Sequence, residues 1–366
     1  MIKKKLKLYY RIIIQNLFKI LYGKILIPKK KNNLIKKAKI NNLKYRMFDN
    51  NNYHIYNIKN ARIYTDKNEN VAIIKNNYIL ENISFQQVNG KLKGTKYNSV
   101  THQGTPSFLK KIPGKVFNLC QGGSGNNYFH FIFDILPKLY LLKLKIDLKK
   151  IDYFYVSEPK DWQINIFKKF GIKEEKLLSS DRYKHIMADE IYAVEHPWYH
   201  KGYIHLEVSK LPKWIIFNHR KFFKSNSKNN LNKKNIFLDR SQSIYKHCQF
   251  ESFGDIKNLI IKKRFDIKRP ETFTFNKQIQ LFRSSHIILG AHGAAFANII
   301  FCKPGTKIIE IIPKDHPNKK CARISKILKL RYFRIETKPD NSDVNYPHKI
   351  KLNKKNIEKI NKIIDL

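Results

Sequence analysis

Two residues suited to acid–base chemistry lie four positions apart, shortly after a glycine-rich turn. His130 and Asp134 follow a turn that contains Gly122 and Gly123, and Asn127 precedes them. Residues four apart share one face of a helix, so the two side chains would point in the same direction. A histidine titrates near neutral pH, and a carboxylate can orient it or take a proton itself. We therefore predict a catalytic base carried by either residue; the alternative is a satisfied polar pair on a core helix.

A second histidine stands within a run of small residues. Residues 291–295 contain one large side chain, His292, and they follow an apolar run closed by Gly290. Such a turn lets the next helix start close to a ligand, and its free N–H groups and helix dipole favour an anion such as phosphate. We therefore predict that His292, Gly293 and Ala294 contact the phosphate or sugar of a ligand. The alternative for the histidine is a purely structural hydrogen bond.

Two charged side chains in the same half of the chain lie beside or within apolar runs. Arg240 follows the run 236–238, where it could neutralise a phosphate; an exposed loop cation is the alternative. Glu310 is the only carboxylate in the run 307–312, and burying it is costly unless it is paired. It would therefore hold a partner or bind a ribose hydroxyl, and we favour the ribose. Two amides, which capping or packing would also explain, complete the set: Gln278 and Asn298.

The second half of the chain alternates between β-rich and helical patterns, which is typical of a Rossmann-like unit. The predicted strands are residues 236–238, 264–268, 286–289, 307–312 and 332–335. The predicted helices are residues 253–261, 275–283, a segment after residue 295, and 321–328. Ligands in such domains sit at the carboxyl ends of the strands, where Arg240 and His292 would meet. A last helix, residues 354–364, is expected to pack back on the first half.

The sequence pattern of the first half predicts a set of β-hairpins followed by another α/β domain. Four short β-rich runs separated by turn signals predict the hairpins: residues 53–58, 62–65, 71–74 and 78–80. Residues 90–114 are predicted as loop. Strands are then expected at 116–120, 153–157 and 191–194, with helices at 128–143 and 162–170. Pro137 should kink the first of these helices or begin a new turn, and residues 196–200 are predicted as a loop.

The first thirty residues predict a basic amphipathic helix. The apolar residues fall near one helical face, with lysine and arginine elsewhere: Leu6, Tyr10, Ile13, Ile14, Phe18 and Leu21. Polar residues interrupt the run, so it lacks the roughly 20 apolar residues that a membrane-spanning helix needs. It also lacks the features of a secretory signal. Such a helix could lie on an anionic membrane, or it could pack on its own domain, and the pattern favours neither.

Composition indicates a globular protein with an unusual charge. The 366 residues include 73 basic and 28 acidic side chains, for a net charge of +45. Nucleic-acid-binding surfaces concentrate arginine, yet only 12 of the basic residues are arginine. The lysine excess, together with abundant asparagine and isoleucine, fits a drift in codon composition better than a functional polycation. Four cysteines without a CxxC pair fit buried thiols in a reducing compartment, here the cytoplasm.

Two ordered blocks of residues resemble glycosyltransferase family 61. The first contains Gln278-Ile279, Phe282, Gly290-Ala-His292-Gly293-Ala294, Asn298, Phe301, Pro304-Gly305 and Glu310. The second runs from Asn127 through His130 and Asp134 to Pro137. The resemblance implies an α/β protein of GT-B type, with two Rossmann-like domains and a cleft between them. The sequence departs from the family pattern near Tyr245, Lys246 and Phe250, whereas Glu251 matches it.

The resemblance also implies an activity and separate donor-side and acceptor-side domains. It implies a hexosyl- or pentosyltransferase that moves a sugar from a nucleotide-sugar donor, UDP-linked, to a glycan or lipid-linked glycan acceptor in cell-surface polysaccharide synthesis. We expect an inverting enzyme, and because no Asp-x-Asp motif is present, we expect it to use neither a metal nor another cofactor. The expected organisation is an N-terminal segment 1–34, an acceptor-side domain 35–223, a donor-side domain 235–345 and a helix within 350–366. Gly122, Gly123 and Asn127 would form an acceptor-side loop.

Two other classes of function compete with this hypothesis. A basic nucleic-acid-binding protein would explain the charge, but the chain carries no zinc, RRM or helix-turn-helix signature. We therefore expect no specific nucleic-acid partner. A catalytically inactive scaffold of the same fold would retain nucleotide binding without turnover. The expected location is the cytoplasm, and peripheral attachment to the inner face of an anionic membrane stays open as an alternative.

Overall fold

The computed structural model divides the chain into two compact units, Met1–Ile204 and His205–Leu366. The structure describes residues 2–28, 41–46, 52–66, 70–88, 91–93, 95–122, 125, 127–199, 202–203, 207–224, 234–244, 247–338 and 349–366. Three residues singled out in the sequence, Gly123, Tyr245 and Lys246, lie outside this part of the chain.

The first unit is built on a mixed sheet and a small antiparallel one. Its strands are β1 (Asn41–Arg46), β2 (Asn52–Thr65), β3 (Val71–Lys75), β4 (Tyr78–Ile79), β5 (Gln86–Val88), β6 (Lys91–Lys93), β7 (Lys110–Asn118), β8 (Tyr153–Val156), β9 (Leu177–Ser179), β10 (His185–Val194) and β11 (Gly202–Tyr203). The large sheet has the order β4-β3-β2-β10-β7-β8-β9, with β1 added beside β2, and the small one has the order β11-β6-β5. Strands β10, β7, β8 and β9 are parallel, whereas β1 to β4 are antiparallel.

Two sequence predictions for this unit were wrong. The runs 53–58 and 62–65 are not separate strands but one strand, β2, which continues through Asn60 at a φ of 48°. Asparagine tolerates this left-handed conformation better than most residues, so the strand is not broken there. Residues 90–114 are not wholly loop, because β7 begins at Lys110. Pro113 and Gly114 stand opposite the single residue Asp189 of β10, an irregularity that hides the strand from the sequence pattern.

The helices of the first unit surround the parallel strands. They are α1 (Ile2–Tyr22), α2 (Val100–Gln103), α3 (Tyr128–His130), α4 (Leu136–Leu142) and α5 (Asp161–Lys169). A single π-helical segment, Phe131–Ile135, joins α3 to α4 without a break. Buried aliphatic residues of β2, β3, β7 and β10 form the core under the sheet.

The second unit is a parallel sheet with helices between its strands. The strands are β12 (Lys234–Leu238), β13 (Asp266–Lys268), β14 (Ser285–Ala291), β15 (Lys307–Pro313) and β16 (Arg331–Thr337), in the order β13-β12-β14-β15-β16. The helices are α6 (Lys213–Phe222), α7 (Gly254–Lys262), α8 (Phe275–Ser284), α9 (Lys320–Leu328) and α10 (Lys354–Asp365). All pairings are parallel. The order is doubly wound, with its topological switch between β12 and β14.

The strands and helices predicted for this half are present, with two corrections. The segment after the small-residue turn is a 3₁₀ helix, Ala294–Phe301, and not an α-helix. The last helix, expected on the first half of the chain, buries Ile360, Ile363 and Ile364 in the core of the second unit. Lys307 fixes it further, because its ammonium group donates to two carbonyls near the end of α10. The α/β class predicted from the sequence is confirmed.

Candidate active site and anion site

Asn127 starts the helix that carries the predicted base. Its side-chain oxygen accepts hydrogen bonds from the N–H groups of Phe129 (3.0 Å) and His130 (3.3 Å), as an N-cap residue does. The following π turn places the N–H of Leu136 on the carbonyl of Phe131. Pro137, next in the chain, has no N–H to continue the α-helical pattern, so the wider turn accommodates it. Single π turns of this kind are frequent at functional sites.

His130 and Asp134 contact each other on this helix. Nδ1 of His130 lies 2.7 Å from Oδ2 of Asp134. The carboxylate is 1% exposed, and it also accepts hydrogen bonds from Gln121 Nε2 (3.0 Å) and Trp198 Nε1 (2.8 Å). The His130 side chain stays partly exposed, at 13%. The predicted pair is therefore one buried acceptor and one accessible imidazole.

The charge state of Asp134 follows from its neighbours. Burial alone would raise the pKa of its carboxyl, but the nearby imidazoles of His130 and His196 outweigh burial and hold the pKa well below its usual range. An ionised carboxylate accepts a hydrogen bond from Nδ1–H of His130, and in that tautomer the ring lone pair is on Nε2. The arrangement therefore presents an oriented proton acceptor at the partly exposed end of the ring.

Residues missed by the sequence complete this first site. Gln121 follows β7 and His196 follows β10, so the two neighbouring parallel strands deliver them to one edge of the sheet. Nδ1 of His196 accepts from the N–H groups of Trp198 (3.3 Å) and Tyr199 (3.1 Å). Its other nitrogen, Nε2, lies 2.8 Å from Nε2 of Gln121 and 3.6 Å from Oδ2 of Asp134. Burial lowers the pKa of His196, so the neutral form is favoured.

A lysine is buried one helical turn beyond Asp134. Lys138 is 0% exposed, and its ammonium nitrogen has no hydrogen-bond partner within the described part of the chain. The nitrogen lies 5.1 Å from the ring centre of Phe85. Burial lowers the pKa of Lys138 to about 8, although the charge of Asp134 opposes the shift. Of the predicted loop residues, Gly122 is buried beside this site and Asn127 is the N-cap already described.

The second site lies at the switch point of the second sheet. Arg240 follows β12 and Gly293 follows β14, the two strands that flank the switch. The guanidinium group of Arg240 donates to the carbonyl of His247 (3.1 Å) and to Ser243 Oγ (3.4 Å). A Cβ on Gly293 would overlap that guanidinium group, so glycine is needed for the arginine to lie there. Arg240 is half-buried, and this burial lowers the pKa of its guanidinium group. It lies at the edge of the sheet where doubly wound folds bind ligands.

Glu310 is held behind His292. Its Oε1 lies 2.5 Å from Nδ1 of His292, and it accepts from Cys321 Sγ at 3.1 Å. Its Oε2 accepts from the hydroxyl of Tyr332 at 2.7 Å. Glu310 is 1% exposed, and both of its oxygens are engaged by protein groups. Of the two roles that the sequence left open for Glu310, the geometry favours holding a partner over binding a ribose.

A second basic side chain, which is buried, borders the same turn. Lys320, at the start of α9, donates from Nζ to the carbonyl of Gly293 at 2.6 Å. Burial lowers the pKa of Lys320, while Cys321 and Glu310 oppose the shift. The ring of His316 lies 4.5 Å from that of His292. Neither residue stood out in the sequence, because only the fold brings Lys320 to Gly293 and His316 to His292.

The remaining predicted residues lie around the turn. Ala294 begins the 3₁₀ helix, so the predicted helix terminus at this place is a short 3₁₀ one. Asn298 donates to Gln278 Oε1 at 2.8 Å, and Gln278 donates to the carbonyl of Phe273 at 3.1 Å. Both amides are buried, so their contacts are those of packing residues. Among the described residues, no group of three or more His, Cys, Asp or Glu side chains could hold a metal ion.

These features define an α/β protein with an oriented imidazole in one unit, and with one half-buried and one buried basic side chain at the switch point of the other. The family model described as Glycosyltransferase 61 matches residues 128–309, which run from the helix of His130 to β15. The chain belongs to glycosyltransferase family 61, and the resemblance found in the sequence is confirmed. No curated protein matches the chain. Membership implies that the protein is a glycosyltransferase, with a sugar donor and a glycan acceptor.

Proposed function

We propose that the protein transfers a hexose or pentose from a UDP-linked donor to a hydroxyl group of a glycan or lipid-linked glycan, with inversion and without a metal ion. The observation that carries the proposal is the pair of basic side chains, half-buried Arg240 and buried Lys320, around Gly293 at the switch point of the second sheet. Cations and backbone donors at this position suit a diphosphate leaving group. The donor therefore belongs to the second unit, and the base belongs to the first.

The reaction needs one proton acceptor and one stabilised leaving group. The acceptor hydroxyl oxygen attacks the anomeric carbon, the bond from that carbon to the UDP oxygen breaks, and its electron pair goes to the diphosphate. The hydroxyl proton goes to Nε2 of His130, while Asp134 holds Nδ1 and stabilises the imidazolium that forms. Arg240 and Lys320 offset the charge that develops on the diphosphate. The two-domain GT-B arrangement and a role in polysaccharide synthesis are parts of the same proposal.

The donor site is tested by replacing Arg240. A charge-assisted contact to phosphate contributes about 1.5–3 kcal/mol, so Arg240→Gln should weaken UDP binding roughly 10- to 150-fold. Arg331→Gln, an exposed change at the amino end of β16, is the matched control and should leave the affinity unchanged. Calorimetric titration with UDP measures both. Equal dissociation constants for wild type and Arg240→Gln would place the donor elsewhere.

The metal-independent step is tested on the active enzyme. Once a donor sugar is found with a panel of nucleotide sugars, turnover in EDTA should match turnover in added Mn²⁺. Loss of turnover in EDTA that Mn²⁺ restores would contradict this part of the proposal. Retained UDP binding with no turnover on any donor would instead favour the inactive scaffold.

We further propose that α1 attaches the protein to an anionic membrane, on the cytoplasmic side. Exposed apolar residues recur at helical spacing along it: Leu6, Tyr9, Tyr10, Ile13, Leu17 and Ile20. Exposed Lys5, Lys7 and Arg11 supply positive charge near them. Such a helix binds a membrane surface with its apolar side and attracts anionic lipids with its cations. No helix in the described residues is long and apolar enough to cross a bilayer.

A further inference from the structure

A cavity of about 240 Å³ opens in the second unit, away from the donor position. We call it the basic pocket, and the residues that line it are Arg220, Phe223, Lys224, Ile279, Arg283, Phe301 and Lys303. Arg283 lies two residues before β14, and Lys303 lies four residues before β15. The pocket is therefore at the amino-terminal edge of the sheet, whereas Arg240 and Gly293 lie at the carboxyl-terminal edge. A seven-residue strand separates the two edges by about 23 Å.

The floor of the basic pocket is aromatic and rigid. The ring centres of Phe223 and Phe301 lie 6.3 Å apart, and both rings pack against Phe275, at 4.8 Å and 5.9 Å. The rings meet edge to face, which is a favourable geometry for aromatic pairs. Ile279 adds a buried aliphatic side. The floor can therefore hold a small apolar group.

The walls of the basic pocket carry positive charge alone. Four of its seven lining residues are cations, and none of the seven is a carboxylate. Arg220 is fixed in place, since it donates to the carbonyls of Ile300 (2.6 Å) and Cys302 (2.8 Å). Burial lowers the pKa of Arg220, and the charge of Arg283 lowers it further. Two guanidinium groups thus repel each other, and a bound anion would relieve that repulsion.

The charge of the basic pocket is not explained by the lysine-rich composition. Only 12 of the 73 basic residues in the chain are arginine, yet two of them line this one cavity. Arginine binds phosphate through a planar set of donors, whereas lysine acts as a point charge. The rim lysines, Lys224 and Lys303, are exposed and add attraction for an anion.

We propose that the basic pocket binds a small organic phosphate, with the phosphoryl group on the arginines and lysines and a ring or short chain on the phenylalanines. Sites for drug-sized ligands occupy about 300–1,000 Å³, so this ligand carries only one small apolar group. A soluble phosphate ester and a phospholipid headgroup share this chemistry. A ligand at the amino-terminal edge of the sheet leaves the donor position at the opposite edge unoccupied. The phosphate ligand is therefore bound in addition to the sugar donor.

Phenyl phosphate is the probe, because it joins a dianion to one aromatic ring. Calorimetry should show that the protein binds phenyl phosphate more tightly than inorganic phosphate, and that Arg283→Gln weakens phenyl phosphate binding roughly tenfold or more. Lys224→Gln/Lys303→Gln, which changes only the exposed rim, should weaken it as well without disturbing the core. Lys326→Gln, an exposed charge-matched control on α9, should have no effect.

Two results would overturn the proposal. Arg283→Gln and the rim variant could both bind phenyl phosphate as the wild type does, or Arg240→Gln could abolish that binding, which would assign the probe to the donor position. UDP binding should be unchanged in Arg283→Gln, so failure here and failure of the donor proposal are distinguishable. Co-sedimentation with phosphatidic acid vesicles identifies the source: a loss in Arg283→Gln indicates a lipid headgroup, and no change indicates a soluble ester.

Discussion

Asp134 lies at hydrogen-bond distance from His130, Gln121 and Trp198. It thereby holds the His130 imidazole that we propose as the base. Its pKa lies below the unfolded value of about 3.9, so the group stabilises the fold above that pH and loses this contribution as the pH falls toward its folded pKa. At neutral pH the carboxylate is therefore available to His130. A buried acceptor with several donors is well suited to hold a partner ring in one orientation.

Replacing His130 tests the base directly. His130→Gln should reduce turnover by roughly 10²–10⁴ and barely change UDP affinity, because the acceptor proton would lose its destination. Asp134→Asn should reduce turnover less than His130→Gln does if Asp134 only orients the ring. It should reduce turnover as much or more if Asp134 is itself the base. His102→Gln, at an exposed histidine of the same unit, is the control. Normal turnover in a folded His130→Gln protein would exclude His130.

Lys138 gives a prediction about stability. Its pKa is about 8 in the folded protein and 10.5 as a free side chain. Between these values the folded state releases the proton before the unfolded state does, so stability should rise with pH. Lys138→Met should remove this rise and increase the unfolding free energy at pH 7 by on the order of 3 kcal/mol.

Denaturant unfolding at pH 7 and at pH 9.5 measures both parts of that prediction. A Lys138→Met protein that is less stable than the wild type at pH 7 would show that the ammonium group has a compensating contact. Lys326→Met, at an exposed lysine, controls for the change in charge and should shift neither value by more than about 0.5 kcal/mol.

At the level of single residues, local spacing predicted the pairs that are close in sequence. The contact between His130 and Asp134 could be expected, because four residues bring two side chains together on any helix. His196, Trp198 and Lys320 could not be found in this way, since each reaches its partner only through the packing of separate strands and helices. Glu310 stood out as the only carboxylate in an apolar strand, but its three donors are set by the fold.

At the level of elements, β12 and β14 to β16 were predictable because they are short apolar runs between helical patterns. Strand β2 was split in the prediction because it carries Lys59 and Asn60 in its middle, which break the apolar pattern without breaking the strand. The start of β7 was missed because Pro113 and Gly114 are typical of loops. These two residues form a bulge where β7 pairs with β10. That pairing joins residues distant in sequence, so the local residue pattern does not reveal it.

Helix α1 is attached at its carboxyl-terminal end and exposed along much of its length. Phe18 is buried against Phe108, and the Tyr22 hydroxyl accepts from the N–H of Leu109. Ile13 is 65% exposed on the apolar side of α1. Ile13→Glu should weaken co-sedimentation with anionic vesicles, because it places a charge in the apolar contact and repels the lipids. Ile244→Glu, at another exposed isoleucine, is the control. Equal vesicle binding by the two variants would make α1 a structural helix.

At the level of the whole molecule, the net charge of +45 remains the main competitor of any specific anion site. Diffuse positive charge attracts nucleic acid, vesicles and nucleotides alike, and this attraction falls steeply with salt. The hydrogen-bonded binding that we propose at Arg240 would depend on that one side chain and on the diphosphate of the ligand. A variant that removes the same charge elsewhere on the surface therefore separates diffuse attraction from specific binding at Arg240. Measurements on the wild type alone do not separate them.

The second unit offers the sharpest test of where the donor binds. Its core cluster and its five strands lie within residues 205–366, and the cations around Gly293 belong to it. A protein of residues 205–366 that melts cooperatively should bind UDP within about threefold of the full chain, lose that affinity with Arg240→Gln, and transfer no sugar because it lacks His130. Calorimetry in 0.15 M salt, with double-stranded DNA as a competing polyanion, measures the affinity. If the folded fragment binds no UDP, the donor site does not reside in this unit alone. If DNA displaces UDP, the binding reflects diffuse positive charge and not a specific donor site.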